Sequence, residues 1–351
     1  MIEIEKKDLQ NYRFIDLFSG LGAFRLALES LGAECVFSSE INQSARDVYL
    51  KNFGEEPVGD ITNVDEKKIP EHDILCAGFP CQAFSISGKQ RGFEDSRGTL
   101  FFDVARIVKV KRPKVVFLEN VRQFATHDGG KTLKVVKQTM EDLGYTFHQK
   151  VLNAVDYGIP QKRERLIILG VKKHLNKELS FPEELNTNVD LKSIVKFNMT
   201  GAIKIEPEDF DMTTIPEECI LTDLNNDETE NNVHPYLKVL AKDKNYEYNN
   251  VTYPRRLSFS KRDSAVHGEI IDIRKPSKTI ICTYNHQPRL FVPLKNKNGY
   301  YLRCLLPDEL KQIQGFPEDF ILTGSTKDQI IQIGNAVPPI LIKQIIEHSI
   351  L

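Results

Sequence analysis

Short apolar runs alternate with helical stripes through the first 170 residues. Arg13–Phe18 has the β-type composition of a strand, and it runs into Ser19-Gly20-Leu21-Gly22 and then a helix over Ala23–Leu31 that Gly32 ends. Glu34–Ser38, Asp73–Ala77, Val115–Glu119 and Leu166–Val171 are further apolar strands. Between the last two, Leu133, Val136, Met140 and Leu143 recur on one face of a helix over Thr132–Leu143, with Gly144 after its end. Strands alternating with helices predict an α/β fold, a doubly wound, mostly parallel sheet covered on both faces. Ligands in such sheets bind outside the carboxyl ends of the strands.

The rhythm changes after about Lys172. Residues 185–253 are polar, acidic and Asn-rich, with no clear period, and only short β-like pieces follow, at Ile280–Thr283 and Leu290–Val292. A second, smaller, irregular β-containing domain is expected over 185–324. Pro338 and Pro339 suit a helix start, and Ile342, Ile345 and Ile346 give that helix an apolar face. It is expected to return to the first domain, which then comprises 1–184 and 325–351.

A length of 351 residues, 40% of them apolar, is enough for one large core and a smaller companion. The net charge of −2 announces no partner, but its distribution is uneven. Residues 206–230 hold ten acidic side chains and no Lys or Arg, whereas 251–303 hold eleven Lys/Arg and three Asp/Glu. That contrast suits a one-sided phosphate-binding surface and equally an ordinary solvated one. The six cysteines form no CxxC pair, which points to free thiols in a reducing cytoplasm and to no structural metal. The N-terminus has no apolar segment of signal-peptide type, and no run approaches membrane-spanning length.

Four places carry candidate chemistry. Phe14–Gly22 is a strand feeding a tight glycine turn, with Glu40 at the end of the next strand placed for ribose hydroxyls. Arg25 occupies the position of the third glycine of a dinucleotide fingerprint, so a nucleoside cofactor fits better, against the plainer reading of a packing turn. Cys81, in Gly78-Phe79-Pro80-Cys81-Gln82, stands at the carboxyl end of a strand and before a glycine-bearing polar loop, the setting of a reactive thiol under a lid. An arbitrary Cys is more often a small buried hydrophobe. Glu119 ends another strand in the same crevice. Arg163 and Arg165 alternate on an extended segment, so both face one way, placed to meet phosphate or to brace Glu119 and Cys81.

In this order these segments resemble the C5-cytosine DNA methyltransferase family. The likeness is carried by Phe14–Gly22, Gly78–Gln82, Glu119-Asn120-Val121 and Gln161-x-Arg163-x-Arg165. It continues in Arg303 through Glu309 to Gln314-Gly315-Phe316-Pro317, and in Gly334-Asn335-Ala336-Val337-Pro338-Pro339. It covers roughly residues 13–171 and 300–341. Ala23 stands where the family often has another glycine, and Ile41 where some relatives carry an aromatic residue.

The resemblance implies a Rossmann-like catalytic domain, a target-recognition domain, S-adenosylmethionine as methyl donor and double-stranded DNA as substrate. Cys81 would be the nucleophile, with Glu119, Arg163 and Arg165 completing the catalytic set. Phe18, Gly20, Leu21, Gly22, Glu40, Ile41, Asp60, Ile61, Pro80 and Asn335 would line the donor site, Asp60 reaching the adenine amino group. Gln82, Ser85, Ser87, Arg163, Arg165, Arg256, His267, Thr279 and Arg289 would meet DNA, with Ser87 and His267 placed to fill the gap left by an extruded base and Thr279 to hold a phosphate. No metal is implied. The biological setting implied is a monomer acting in the cytoplasm as the modification partner of a restriction endonuclease. An RNA cytosine methyltransferase on the same scaffold and a DNA-binding module without catalysis are the competing readings. A nicotinamide oxidoreductase is more distant, because Arg25 spoils its fingerprint.

Overall fold

The computed structural model describes residues 8–350 apart from 81–99, 176–178, 186, 231, 243–244, 249–250, 255–256 and 262–267, with the backbone alone described for 239–242, 245–248 and 251–254. The chain divides into two compact units, one of residues 1–187, 319–323 and 336–351, the other of 188–318 and 324–335.

The first unit is built on six strands: β1 (Arg13–Leu17), β2 (Glu34–Ser39), β3 (Ile74–Ala77), β4 (Val115–Val121), β5 (His148–Asn153) and β6 (Glu164–Val171). They pair in the order β2-β1-β3-β4-β6-β5. β6 runs antiparallel to both neighbours, and the other pairings are parallel. Helices α1 (Ala23–Glu29), α2 (Gln43–Phe53), α3 (Leu100–Lys111) and α4 (Lys131–Asp142) connect the strands. Sequence periodicity had indicated α1 and α4 but not α2, α3 or β5.

Strand geometry sends alternate side chains to opposite faces. Ile15, Leu17, Leu75, Ala77, Val116, Leu118, Leu166 and Ile168 therefore share one buried layer with Phe101, Val104 and Val108 of α3 and Leu133, Val136 and Met140 of α4. On the other face Phe24 of α1 meets Phe117 edge-on, ring centroids 5.0 Å apart. In the same unit the C-terminal helix Pro339–Ser349 starts at its two prolines as expected and buries Leu341, Ile342, Ile345 and Ile346 completely.

The second unit holds strands β7 (Ile203–Lys204), β8 (Leu221–Asp223), β9 (Asn245–Tyr248), β10 (Val251–Pro254), β11 (Leu257–Phe259), β12 (Gly268–Ile270), β13 (Leu290–Asn296) and β14 (Gly299–Cys304). Its main sheet runs β11-β12-β13-β14-β7, with β8 also on β13, and β9 and β10 form a separate antiparallel pair. Its helices are α5 (Pro235–Lys242), α6 (Pro307–Ile313) and α7 (Thr326–Asn335); the C-terminal helix of the first unit is then α8. The β-like piece expected at Ile280–Thr283 is not a strand. Ile280 is buried, and the chain makes a short 3-10 turn over Cys282–Asn285, against which α7 packs. The contact is so close that a Cβ on Gly334 would lie 2.4 Å from the Cys282 backbone nitrogen.

Part of the basic stretch is spent internally. Arg303 is completely buried and grips Glu309 with two bonds of 2.7 and 2.8 Å, and its remaining donors reach the carbonyls of Lys196, Asn198 and Cys304. Arg274 and Lys275 hold Asp272, and Lys278 holds Glu269. No described helix is long and apolar enough to cross a membrane.

Candidate active site

The carboxyl ends of β1, β2, β3 and β4 meet at one edge of the first sheet. β1 delivers the glycine turn. Phe18, Gly20 and Gly22 all take positive φ (55°, 51° and 82°), so the chain reverses sharply just before α1. Left-handed backbone in a bulky residue such as Phe18 is strained and is characteristic of functional sites. The two glycines serve different ends. A Cβ on Gly22 would strike the Phe53 ring at 2.4 Å, so its bareness lets the turn pack on α2. A Cβ on Gly20 would meet none of the described residues within 4 Å, which leaves room there for a ligand.

Glu40 follows β2 and braces this turn. Its carboxylate accepts from the Gly20 amide at 2.9 Å and from the Asn42 amide at 2.8 Å. Ile41 beside it is 70% exposed, an apolar platform at the mouth of the crevice. Asp60 caps a short 3-10 turn through Thr62, whereas the Ile61 side chain is buried in the core. Of the apolar residues expected around an adenine, Phe18 and Ile41 therefore remain nearer the surface than Ile61. Leu21 is also buried.

Beneath the turn lies a polar group that pattern reading passed over. Asp16 is wholly buried with its carboxylate near the Arg25 backbone amide, and among the described residues the hydroxyls of Ser19 and Ser39 are buried without a partner. Burial pushes the Asp16 carboxyl well above its ordinary range against the pull of Arg25. Unpaired buried polar atoms cost about 1–3 kcal/mol each and call for an explanation. A polar ligand or water reached from the turn satisfies them, so the orphaned oxygens and the open space at Gly20 fit a nucleoside cofactor with a polar tail. The legible signal was a carboxylate inside the apolar run Phe14–Phe18.

β3 and β4 carry the reactive centre. Ala77 pairs with Leu118, which sets Gly78 beside Glu119; a Cβ on Gly78 would stand 3.4 Å from Glu119 Oε2. Asn120, also buried, donates its side-chain amide to the Phe79 carbonyl at 2.9 Å and so pins the loop one residue before Pro80. Phe79 is anchored among Phe101 and Phe124. Cys81, Gln82, Ser85, Ser87, Arg256 and His267 lie outside the described residues.

Glu119 is 7% exposed, and Arg165 Nε stands 2.9 Å from its Oε1. The register explains the meeting. Val121 opposes Arg165 and Ile167 opposes Glu119 in the antiparallel β4–β6 pair, so the two charges are diagonal neighbours on one face. Arg163, just before β6, is fully buried and donates to the Ala336 carbonyl at 2.8 Å. Both guanidiniums act on Glu119 through their charge, and Arg165 also bonds it directly. Burial is the larger influence, and it lifts the Glu119 carboxyl above its ordinary value although both arginines pull it down. The result is a carboxyl that holds a proton more readily than a solvated Glu while a cation fixes its direction.

Thr279 is exposed and Arg289 half-buried, its guanidinium on Gln287; both belong to the second unit, as does Asn335 at the end of α7. Among the described residues no cluster of His, Cys, Asp and Glu has the make-up to hold a metal ion.

The sequence pattern of the C-5 cytosine-specific DNA methylases matches residues 12–350. Type II methyltransferase M.HhaI of Haemophilus parahaemolyticus is 65% identical over 196 residues, 56% of this chain and 60% of that protein. The aligned stretch thus spans about three-fifths of that relative's length. M.DsaV of Dactylococcopsis salina is 36% identical over 99% of this chain and 87% of its own length, and M.HpaII of Haemophilus parainfluenzae 36% over 93% and 86%. Among solved structures the fold resembles that of S. pombe Dnmt2 methyltransferase, with a TM-score of 0.63 at 17% identity over 96% of this chain and 98% of that one.

Proposed function

The chain belongs to the C-5 cytosine-specific DNA methylase family, and we propose that it transfers a methyl group from S-adenosylmethionine to carbon 5 of a cytosine in a short double-stranded DNA site, through a covalent bond between Cys81 and carbon 6. The observation that carries the reading is the buried Glu119–Arg165 pair at the end of β4, beside the strand that leads to Cys81.

Carbon 5 of cytosine is a poor nucleophile. Addition of the Cys81 thiolate to carbon 6 breaks the ring's aromaticity and makes carbon 5 enamine-like. Electron density then rises at N3, where the raised carboxyl of Glu119 supplies a proton. Arg165 holds that carboxyl in place, and Arg163 adds positive charge nearby. The donor, when bound, supplies a methyl carbon activated by a sulfonium. Removal of the carbon-5 proton and release of the sulfur from carbon 6 restore the aromatic ring and the thiolate. A stacked base is out of reach of this chemistry, so the target cytosine swings out of the duplex, at a cost of a few kcal/mol.

Glu40, Ile41, Phe18 and Asp60 hold the nucleoside of the donor, and Asp16, Ser19 and Ser39 offer polar atoms toward its charged tail. The first unit serves as the catalytic domain and the second as the target-recognition domain, with Thr279 and Arg289 at the DNA. The chain acts as a cytoplasmic monomer paired with a restriction endonuclease of the same site specificity.

Purified protein incubated with isotope-labelled S-adenosylmethionine and mixed duplexes is expected to label carbon 5 of cytosine, and Cys81→Ser to abolish labelling. Label confined to an exocyclic nitrogen, or found only in RNA, contradicts the proposal.

A further inference from the structure

Arg46, on the first turns of α2, is bound to the backbone of the Glu40–Ile41 turn and lies against the stretch at Gly59. Its Nη1 donates to the carbonyls of Glu40 at 3.1 Å and Ile41 at 3.4 Å. Its Nη2 donates to the Gln43 side-chain oxygen, and its Nε lies 3.4 Å from Glu56 Oε1. A Cβ on Gly59 would come within 3.3 Å of the same Nη1, so the guanidinium also lies against the stretch that leads to Asp60. That stretch is laced to the end of β2, since Val58 donates to the Ser38 carbonyl at 2.9 Å and accepts from the Glu40 amide at 2.8 Å. The Arg46 side chain is 18% exposed.

We propose that Arg46 is a positioning residue for the nucleoside half of the methyl donor: it holds the Glu40–Ile41 turn and the Gly59–Asp60 segment at a fixed spacing without itself touching the ligand. The geometry gives each end of the Glu40 residue its own anchor. The carboxylate is tied to the Gly20 amide, and the carbonyl is tied to Arg46. Ile41, being 70% exposed, gains little packing from the protein and depends on its backbone for placement. A planar guanidinium reaches several acceptors at once, which a lysine ammonium at the same site does not reproduce.

This inference rests on the methyl-donor reading, and one titration series separates the two. The full chain is titrated with S-adenosylmethionine and, separately, with adenosine, and KM and kcat are measured for the donor with DNA saturating. Arg46→Gln and Arg46→Lys are expected to weaken both ligands about tenfold, the loss that goes with one hydrogen bond to a charged group. KM for the donor rises by the same factor, while kcat and the KM for DNA stay within about twofold. Glu56→Gln leaves the carbonyl bonds in place and is expected to stay within about twofold throughout. Wild type that binds donor together with Arg46 variants of unchanged donor KM overturns the positioning role. So does a fall in kcat alone, or full recovery by lysine. Wild type that binds no S-adenosylmethionine removes the donor reading itself, and the inference with it.

Discussion

At Glu119 burial and two arginines compete for one proton, and burial prevails. The sign of the pH dependence follows. A carboxyl whose folded pKa is raised keeps its proton to higher pH than a free Glu, and the donating form is lost as pH rises through that raised value. The alkaline limb of the kcat/KM profile for DNA is therefore expected to report Glu119. Arg165→Met removes the nearest cation and moves that limb upward, while lowering the rate because the carboxyl loses its 2.9 Å restraint. Glu119→Gln is expected to lose about 10²–10⁴ in rate and the limb with it. A limb that shifts downward in Arg165→Met contradicts the assignment.

The Arg303–Glu309 pair makes a different point about charge. The Arg303 guanidinium is fully buried, and replacing one partner strands the other. Arg303→Met and Glu309→Leu are each expected to cost about 3–5 kcal/mol in denaturant unfolding, and the double variant much less than their sum. Additive losses would contradict a mutually compensated pair.

Among the connecting elements, the glycine turn and the start of β6 show what local pattern conveys. The strand-turn-helix at Phe14–Gly22 was legible because glycines mark chain reversal and apolar runs mark strands. The meeting of Glu119 with Arg165 was legible only as one of two alternatives, because the choice depends on the register between β4 and β6, which no local spacing encodes. α2 escaped notice because its buried face is thin, only Ala45, Val48 and Tyr49 being buried, and Arg46 went unseen with it. Gly20 and Gly22 look alike in sequence but differ in packing, and their alanine variants separate them. Gly22→Ala meets the Phe53 ring and is expected to lower Tm. Gly20→Ala carries only the backbone penalty of about 1–2 kcal/mol and acts mainly on the donor KM. Equal Tm losses with equal KM values would contradict the distinction.

Across the two units, charge is used more for cohesion than the sequence suggested. Of eleven Lys and Arg in 251–303, four among the described residues (Arg274, Lys275, Lys278 and Arg303) are engaged with carboxylates. If the remaining seven all met phosphates, the salt slope of DNA affinity contributed by this stretch would be about −6, against about −10 if all eleven did. An affinity titration between 50 and 200 mM salt, repeated with Arg274, Lys275 and Lys278 neutralised, tests the pairing: the slope is expected to hold, and a loss of about 3 would contradict the internal pairing. The change of pattern after Lys172 was legible, while the strand order of the second sheet was not, since β7 and β8 are two and three residues long and join the sheet from far along the chain.

Cys81 is best tested by trapping. Duplex DNA carrying 5-fluorocytosine at the target position has no carbon-5 proton to remove, so with S-adenosylmethionine present the sulfur–carbon bond should persist. Peptide mass spectrometry is expected to find one methylated fluorocytosine adduct, on Cys81, and none in Cys81→Ser. An adduct on any other cysteine, or carbon-5 methylation of ordinary cytosine by Cys81→Ser at the wild-type rate, would contradict the mechanism.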